Sequence, residues 1–158
     1  MVPVTDNLTG LMWLKDGNCI STNYPGSDND NVSGDGRVTW QHALDFVAGI
    51  NAGTYPNCGA GYTDWRMSNI KELLSLIDYR FAYPCLSNVD GTQQLTQGDP
   101  FYLVIPQYST GEGYWTSTTD AMNADEGFDA WCLNFIDCEV RRLGKVGDRY
   151  VWPVRGGK

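Results

Sequence analysis

The segment from Gly61 to Leu73 constrains the fold of this chain more than any other stretch of its sequence. A turn rich in Gly and Asp leads into the pair Trp65-Arg66, and a helix start follows within a few residues. Asn69 and Glu72 stand three apart ahead of an apolar run, which is the spacing of a capping box. In that motif the Asn side chain accepts from the Glu backbone N–H, and the carboxylate accepts from the Asn N–H. The segment therefore predicts a structural joint, with Glu72 in a structural and not a catalytic role.

Two helices are predicted from the spacing of apolar residues. The first runs from about Trp40 to Ile50, with Thr39 as its N-cap, and its apolar side chains recur at helical intervals. The second begins at Ile70 and carries an apolar face as far as Ile77.

Most of the remaining regular structure is predicted as antiparallel strands. A first hairpin spans residues 4–14 and turns at Thr9-Gly10, and a short strand is expected at 101–105. Four further strands are expected at 114–117, 130–136, 139–143 and 149–154. Two helices followed by an antiparallel meander is an α+β pattern. A length of 158 residues fits one domain over residues 1–158.

The charge of the chain excludes one class of partner and disfavours another. The formal net charge is −8, with only 11 Lys and Arg residues, and the longest basic run is Arg141-Arg142. Nucleic acid is not expected as a partner, because phosphate binding needs a concentrated cationic face. An acidic surface also repels sulfated polyanions, so these are disfavoured as ligands.

The five cysteines, at 19, 58, 85, 132 and 138, indicate an exported domain and not a zinc site. No C-x-x-C pair occurs, and zinc-ribbon spacing is missing. In an oxidising compartment two disulfides and one free thiol are expected. The sequence does not fix the full pairing, but Cys132 and Cys138 flank a predicted turn and could face each other. A structural disulfide across that hairpin is favoured over a reactive cysteine pair.

The loop at 26–36 is the strongest candidate for a metal site. Asp28, Asp30 and Asp35 offer hard oxygen ligands, and the glycines around them permit the tight wrap that calcium requires. The loop lacks the closing Glu of an EF-hand. A solvated polar loop is the alternative, because turns use the same residue types.

Five motifs in a fixed order carry a family resemblance. They lie at 4–13, 38–40, 61–73, 113–118 and 149–157, and the last contains Tyr-Val-Trp-Pro-Val-Arg. In this order they resemble the C-terminal domain family of the Legionella collagen-like adhesin, and the resemblance covers roughly residues 4–157. It implies a bacterial, secreted or cell-surface domain with a C-type lectin-like fold, in which the first and last strands pair. Because Met1-Val2-Pro3 lacks the features of a signal peptide, the export signal is expected outside this sequence.

The resemblance implies ligand binding or adhesion, with a surface glycan, host glycan or protein as the target, and no catalysis. Ligand loops in C-type lectins lie upstream of the terminal strands, where this chain has an acidic segment at 119–129. The calcium and sugar motifs of those lectins do not occur in it, so a charged loop without a ligand is the alternative. Two loop tyrosines are additional surface candidates. The predicted ligand-binding residues are Tyr102, Tyr108, Asp120, Asn123, Asp125, Glu126 and Asp129.

Two other functions are compatible with the sequence. One is a structural or oligomerisation module of a larger surface protein, which would form a homo-oligomer. The more distant alternative is a cysteine enzyme on a C-type lectin-like scaffold, using Cys132 or Cys138.

Overall fold

The computed structural model describes residues 2–28, 32–102, 113–121 and 128–157. Over these ranges the fold is α+β, as the sequence predicts, with short helices and two antiparallel sheets. The strands are β1 (Val4–Thr5), β2 (Leu11–Trp13), β3 (Arg66–Met67), β4 (Tyr114–Thr119), β5 (Asp129–Asn134), β6 (Glu139–Gly144) and β7 (Pro153–Gly156). The helices are α1 (Cys19–Asn23), α2 (Trp40–Asn51), α3 (Pro56–Gly59) and α4 (Ile70–Leu74). None of the described helices is long and apolar enough to cross a membrane.

The first sheet joins the two ends of the chain. Its strand order is β1-β2-β7-β3, and all of its pairs are antiparallel. Trp13 of β2 lies opposite Val154 of β7, and both side chains are fully buried. The predicted pairing of the N-terminal and C-terminal strands is therefore confirmed for β2, the second strand of the N-terminal hairpin, which pairs with β7. Burial of Leu11 and Trp13, which share a face of β2, together with burial of Val154 of β7 favours this pairing.

The second sheet is the meander β4-β5-β6. Its buried side chains include Trp115, Cys132 and Leu133. The backbone N–H of Ser117 donates to the carbonyl of Ser68 at 2.8 Å, which links β4 to the segment that follows β3. The two sheets are thus joined at the joint predicted from the sequence.

Both predicted helices form, but the second is shorter than its apolar pattern indicates. Thr39 caps α2, and the capping box of Asn69 and Glu72 is present at the start of α4. Beyond Ser75 the chain tightens, because Leu76 and Ile77 donate to carbonyls three residues back instead of four. The apolar side chains continue to pack on the core after the α-helix has ended.

Two short helices lie in segments that the sequence analysis leaves as loops. A disulfide between Cys19 and Cys58 joins α1 to α3, and both cysteines are buried. Neither helix is long enough to be stable on its own, so tertiary packing and the covalent link account for both. The sequence pattern within such short segments carries too few turns to reveal a helix.

The last strand also begins later than predicted. Residues 150–152 form no regular ladder, although their side chains are buried. Trp152 instead donates from Nε1 to the carbonyl of Leu14 at 2.8 Å and packs against Trp13 with ring centroids 5.4 Å apart. In the predicted strand at 101–105, Phe101 is outside any ladder and Tyr102 makes one isolated bridge to Asp16; residues 103–105 lie outside the described ranges.

The disulfide pattern corrects one prediction. The pairs are Cys19–Cys58 and Cys85–Cys138, and Cys132 is a buried free thiol, so the predicted count of two bridges and one thiol is confirmed. The suggested Cys132–Cys138 bridge is wrong, because the β5–β6 register places Cys132 opposite Arg141. Cys138 lies in the turn, where it reaches Cys85 on the neighbouring segment.

Candidate functional site

At one end of the second sheet, the end of β4, the start of β5 and the end of β6 lie beside the start of α2. Lys145 connects them: its carbonyl accepts from Trp40 N at 3.1 Å, and its N–H donates to Phe128 at 2.6 Å. Asp120 N donates to the carbonyl of Asp129 at 3.2 Å. We call this region the hairpin end. Its residues are Thr39, Trp40, Gln41, Asp120, Phe128, Asp129, Arg142, Lys145 and Val146.

An ion-pair cluster fixes the geometry of the hairpin end. Arg142 Nη1 lies 3.0 Å from Asp120 Oδ2, and Arg142 Nε lies 3.3 Å from Asp129 Oδ2. The Asp120 side chain is only 4% exposed, whereas that of Arg142 is 44% exposed. Asp120 thus acts as a buried anchor for Arg142, and Asp129 and Arg142 present the polar groups to solvent.

A cleft of about 460 Å³ lies beside this cluster, lined by the first turn of α2 and the turn after β6. Lys145 Nζ sits 4.4 Å from the centroid of the Trp40 ring, within the distance of a cation–π contact. The Trp40 indole donates from Nε1 to the carbonyl of Thr116 at 2.8 Å, which fixes the orientation of its ring. Val146, which also lines the cleft, is 83% exposed, so the cleft presents an apolar side chain to solvent.

The described parts of the predicted metal loop, residues 26–28 and 32–36, fold against the chain that leaves β2. The carboxylate of Asp28 is fully buried and accepts from Gly34 N at 2.7 Å and from Gly36 N. Arg37 pairs with Asp35 at 2.6 Å. Asn18 faces this loop, because its Nδ2 donates to the carbonyl of Asp35 at 3.2 Å, and its backbone N–H donates to Asp16 Oδ1 at 2.9 Å. We call Asp16, Asn18, Asp28, Asp35 and Gly36 the acidic corner.

The structure brings together two of the predicted ligand residues, Asp120 and Asp129. Tyr102 lies elsewhere: it is 43% exposed and has Lys15 Nζ 5.2 Å from its ring centroid. The other predicted site residues lie outside the described ranges; they are Asp30, Tyr108, Asn123, Asp125 and Glu126. Within the described part of the chain, no group of three or more His, Cys, Asp and Glu side chains is arranged to hold a metal ion.

Sequence reasoning missed the residues that shape the cleft. The sequence predicts Trp40 only as the start of the first helix, whereas in the structure its side chain is partly buried and lines the cleft. Lys145 and Val146 carried no local signal, because their relation to Trp40 spans more than a hundred residues of sequence.

Cys132 lies in β5 of the second sheet, and its free thiol is buried. Burial raises the pKa of Cys132, and the nearby Arg149 and Arg141 offset only part of that rise. The neutral thiol is therefore the dominant form at neutral pH, which is the opposite of an activated nucleophile. Its proposed partner Cys138 is joined to Cys85.

Comparison with known proteins identifies one family. The family model described as the Lcl C-terminal domain matches residues 3–155, which is nearly the whole chain. No curated protein matches the chain in a sequence search.

Proposed function

The chain belongs to the Lcl C-terminal domain family, named for the Legionella collagen-like adhesin, and we propose that it binds a surface or host glycan at the hairpin end. Membership of this family supports an adhesion-related role at the cell surface. Two disulfides agree with an extracellular or cell-surface location. The proposal takes the scaffold to be C-type lectin-like and assigns no catalytic residue.

The cleft beside Trp40 carries this proposal. Its volume of about 460 Å³ lies within the range of about 300 to 1,000 Å³ that is usual for small-ligand sites. A pyranose has an apolar C–H face and a polar rim. The exposed Val146 suits the apolar face, and the side chains of Gln41 and Lys145, the latter held over the Trp40 ring, suit the polar rim of the sugar.

Local charge favours a neutral sugar over a sulfated one. Asp120 and Asp129 are balanced at this end by Arg142 and Lys145, and the adjoining segment at 122–127 adds the carboxylates of Asp125 and Glu126 by sequence. A polyanion would meet net negative charge here and across a chain of net charge −8. Nucleic acid is disfavoured for the same reason.

A glycan array that includes neutral and sulfated oligosaccharides tests the proposal. We expect binding to neutral glycans, and at least a tenfold loss of affinity in Val146→Asp, because the new charge would have to be desolvated under the sugar. Val89→Asp is the matched control, since Val89 is 74% exposed and lies outside the hairpin end. Equal affinity in the two variants would place the site elsewhere.

Two outcomes would overturn the glycan assignment. One is a preference for sulfated glycans, which would contradict the charge argument. The other is no glycan binding together with concentration-dependent association in light scattering. That result would support the oligomerisation module instead.

A further inference from the structure

Two buried oxygen atoms in the acidic corner have no hydrogen-bond donor. Asp16 is 2% exposed and Asn18 is 5% exposed, and neither Asp16 Oδ2 nor Asn18 Oδ1 accepts a hydrogen bond. The other carboxylate oxygen, Asp16 Oδ1, accepts from Asn18 N at 2.9 Å. Because burial without a donor is costly for any polar group and far more so for a carboxylate, this pair needs a positively polarised partner.

The orientation of the Asn18 amide is fixed by its other end. Nδ2 donates to the carbonyl of Asp35, so exchanging the amide nitrogen and oxygen would set two acceptors against each other. Asn18 also directly precedes α1, where an Asn oxygen commonly accepts from the helix backbone, yet it makes no such bond. The fold therefore holds Oδ1 as an acceptor and leaves it without a partner.

The facing loop approaches closely and adds a second buried carboxylate. A Cβ on Gly36 would lie 1.9 Å from Asn18 Oδ1, so only glycine allows this approach. Asp28, whose carboxylate is bound by the N–H groups of this loop, is fully buried. Among the described residues no Lys or Arg side chain pairs with Asp16 or Asp28, and Arg37 is engaged with Asp35 and lies 4.0 Å from Asp148.

We propose that the acidic corner binds a calcium ion, with Asp16 Oδ2 and Asn18 Oδ1 as its side-chain ligands. Carboxylate, amide and carbonyl oxygens are the ligands that calcium prefers, and its flexible shell of six to eight oxygens accepts main-chain carbonyls and water for the remainder. The dication would balance the two buried carboxylates of Asp16 and Asp28. This site lies in a different part of the fold from the hairpin end and does not depend on sugar binding.

The assignment differs from the sequence-based one in its ligands. Asp28 already has hydrogen bonds to both carboxylate oxygens, and Asp35 is paired with Arg37, so these side chains shape the loop. Among the side chains of this region that the structure describes, the oxygens left for a cation belong to Asp16 and Asn18. A carboxylate and an amide two residues apart gave no metal signature in the sequence.

Calcium binding to the whole chain after EDTA treatment tests this site, with isothermal titration calorimetry and thermal unfolding as readouts. We expect one bound calcium ion and a rise in Tm that Mg²⁺ reproduces only weakly. Asp16→Asn and Asn18→Ala should each lower calcium affinity at least tenfold. Asp30→Asn, in the neighbouring loop, is the control and should keep wild-type affinity.

Stability in EDTA separates a calcium ligand from a purely structural carboxylate. Asp16→Asn removes an unbalanced buried charge, so the variant should be at least as stable as wild type in EDTA and less stable than wild type in calcium. A structural role alone would make it less stable in both. If Asp16→Asn does not fold, Asn18→Ala provides the affinity test. The proposal is overturned by a wild-type Tm that calcium does not change, by an equal response to Mg²⁺, or by loss of binding in Asp30→Asn alone.

Discussion

Arg66 holds the carboxylate of Glu72 in a bidentate ion pair, with Nη1–Oε2 at 2.8 Å and Nη2–Oε1 at 2.6 Å. The same carboxylate accepts from Asn69 N at 2.8 Å, which completes the capping box of α4. Arg66 also donates to the carbonyl of Gly156 at 3.1 Å. One side chain thus connects a helix start, the short strand β3 and the C-terminal strand, so the joint predicted from the sequence is also a tertiary junction.

Removing the cap should destabilise the protein measurably. Asn69→Ala deletes the oxygen that accepts from Glu72 N at 3.0 Å, and we expect a loss of about 1 kcal/mol in the free energy of unfolding. Urea unfolding followed by tryptophan fluorescence measures it. Asn57→Ala, at an exposed position, is the control and should change stability by less than about 0.5 kcal/mol. Equal effects would mean that the cap is not stabilising.

Acid should weaken the same junction. Burial by itself would raise the pKa of Glu72. The hydrogen bonds from Arg66 and from the Asn69 backbone, together with the positive charge of Arg66, outweigh burial and lower the pKa of Glu72 below its usual 4.5. Because the pKa of Glu72 is lower in the folded state than in the unfolded state, the ionised carboxylate stabilises the fold. This stabilisation is complete above pH 4.5 and is lost as the pH falls through the folded-state pKa.

The variant Glu72→Gln isolates this effect, because Gln can also serve in a capping box but carries no charge. We expect wild type to be more stable than Glu72→Gln near neutral pH and the difference to shrink as the pH falls below 4.5. Urea unfolding at a series of pH values would show it. A difference that stays constant with pH would contradict the linkage.

Two glycines with the same backbone angle should respond differently to alanine. Gly36 and Gly53 both have φ near 80°, but a Cβ on Gly53 meets nothing within 4 Å, whereas one on Gly36 overlaps Asn18. Gly53→Ala should cost about 1 kcal/mol from backbone strain alone. Gly36→Ala should cost about 2 kcal/mol more, because Asn18 must move. Equal unfolding free energies would show that the acidic corner is loosely packed.

The two tryptophans that join the chain ends also form a matched pair. Trp13 and Trp152 are both fully buried, but only Trp152 Nε1 has a partner, the carbonyl of Leu14. Trp→Phe removes a similar volume at both sites. Trp152→Phe should therefore be the more destabilising change by about 1 kcal/mol in urea unfolding, the usual contribution of a hydrogen bond. The reverse order would indicate that Trp13 Nε1 is satisfied in solution.

The sequence by itself determined the features that depend on neighbours a few residues apart. The capping box, the Thr39 cap, the apolar face of α2 and the β5–β6 hairpin all follow from local spacing, and all are present. The order of five motifs also identified the family and, with it, the pairing of the first and last strands.

Only the tertiary structure decided which distant residues meet. The partner of Cys138, the cleft between Trp40 and Lys145 and the unpaired oxygens of Asp16 and Asn18 each depend on contacts or burial that no local pattern encodes. The physical reason is that burial and long-range packing set these relationships, while the side chains themselves are ordinary for turns and short helices. Both candidate sites arise where segments from separate parts of the chain meet.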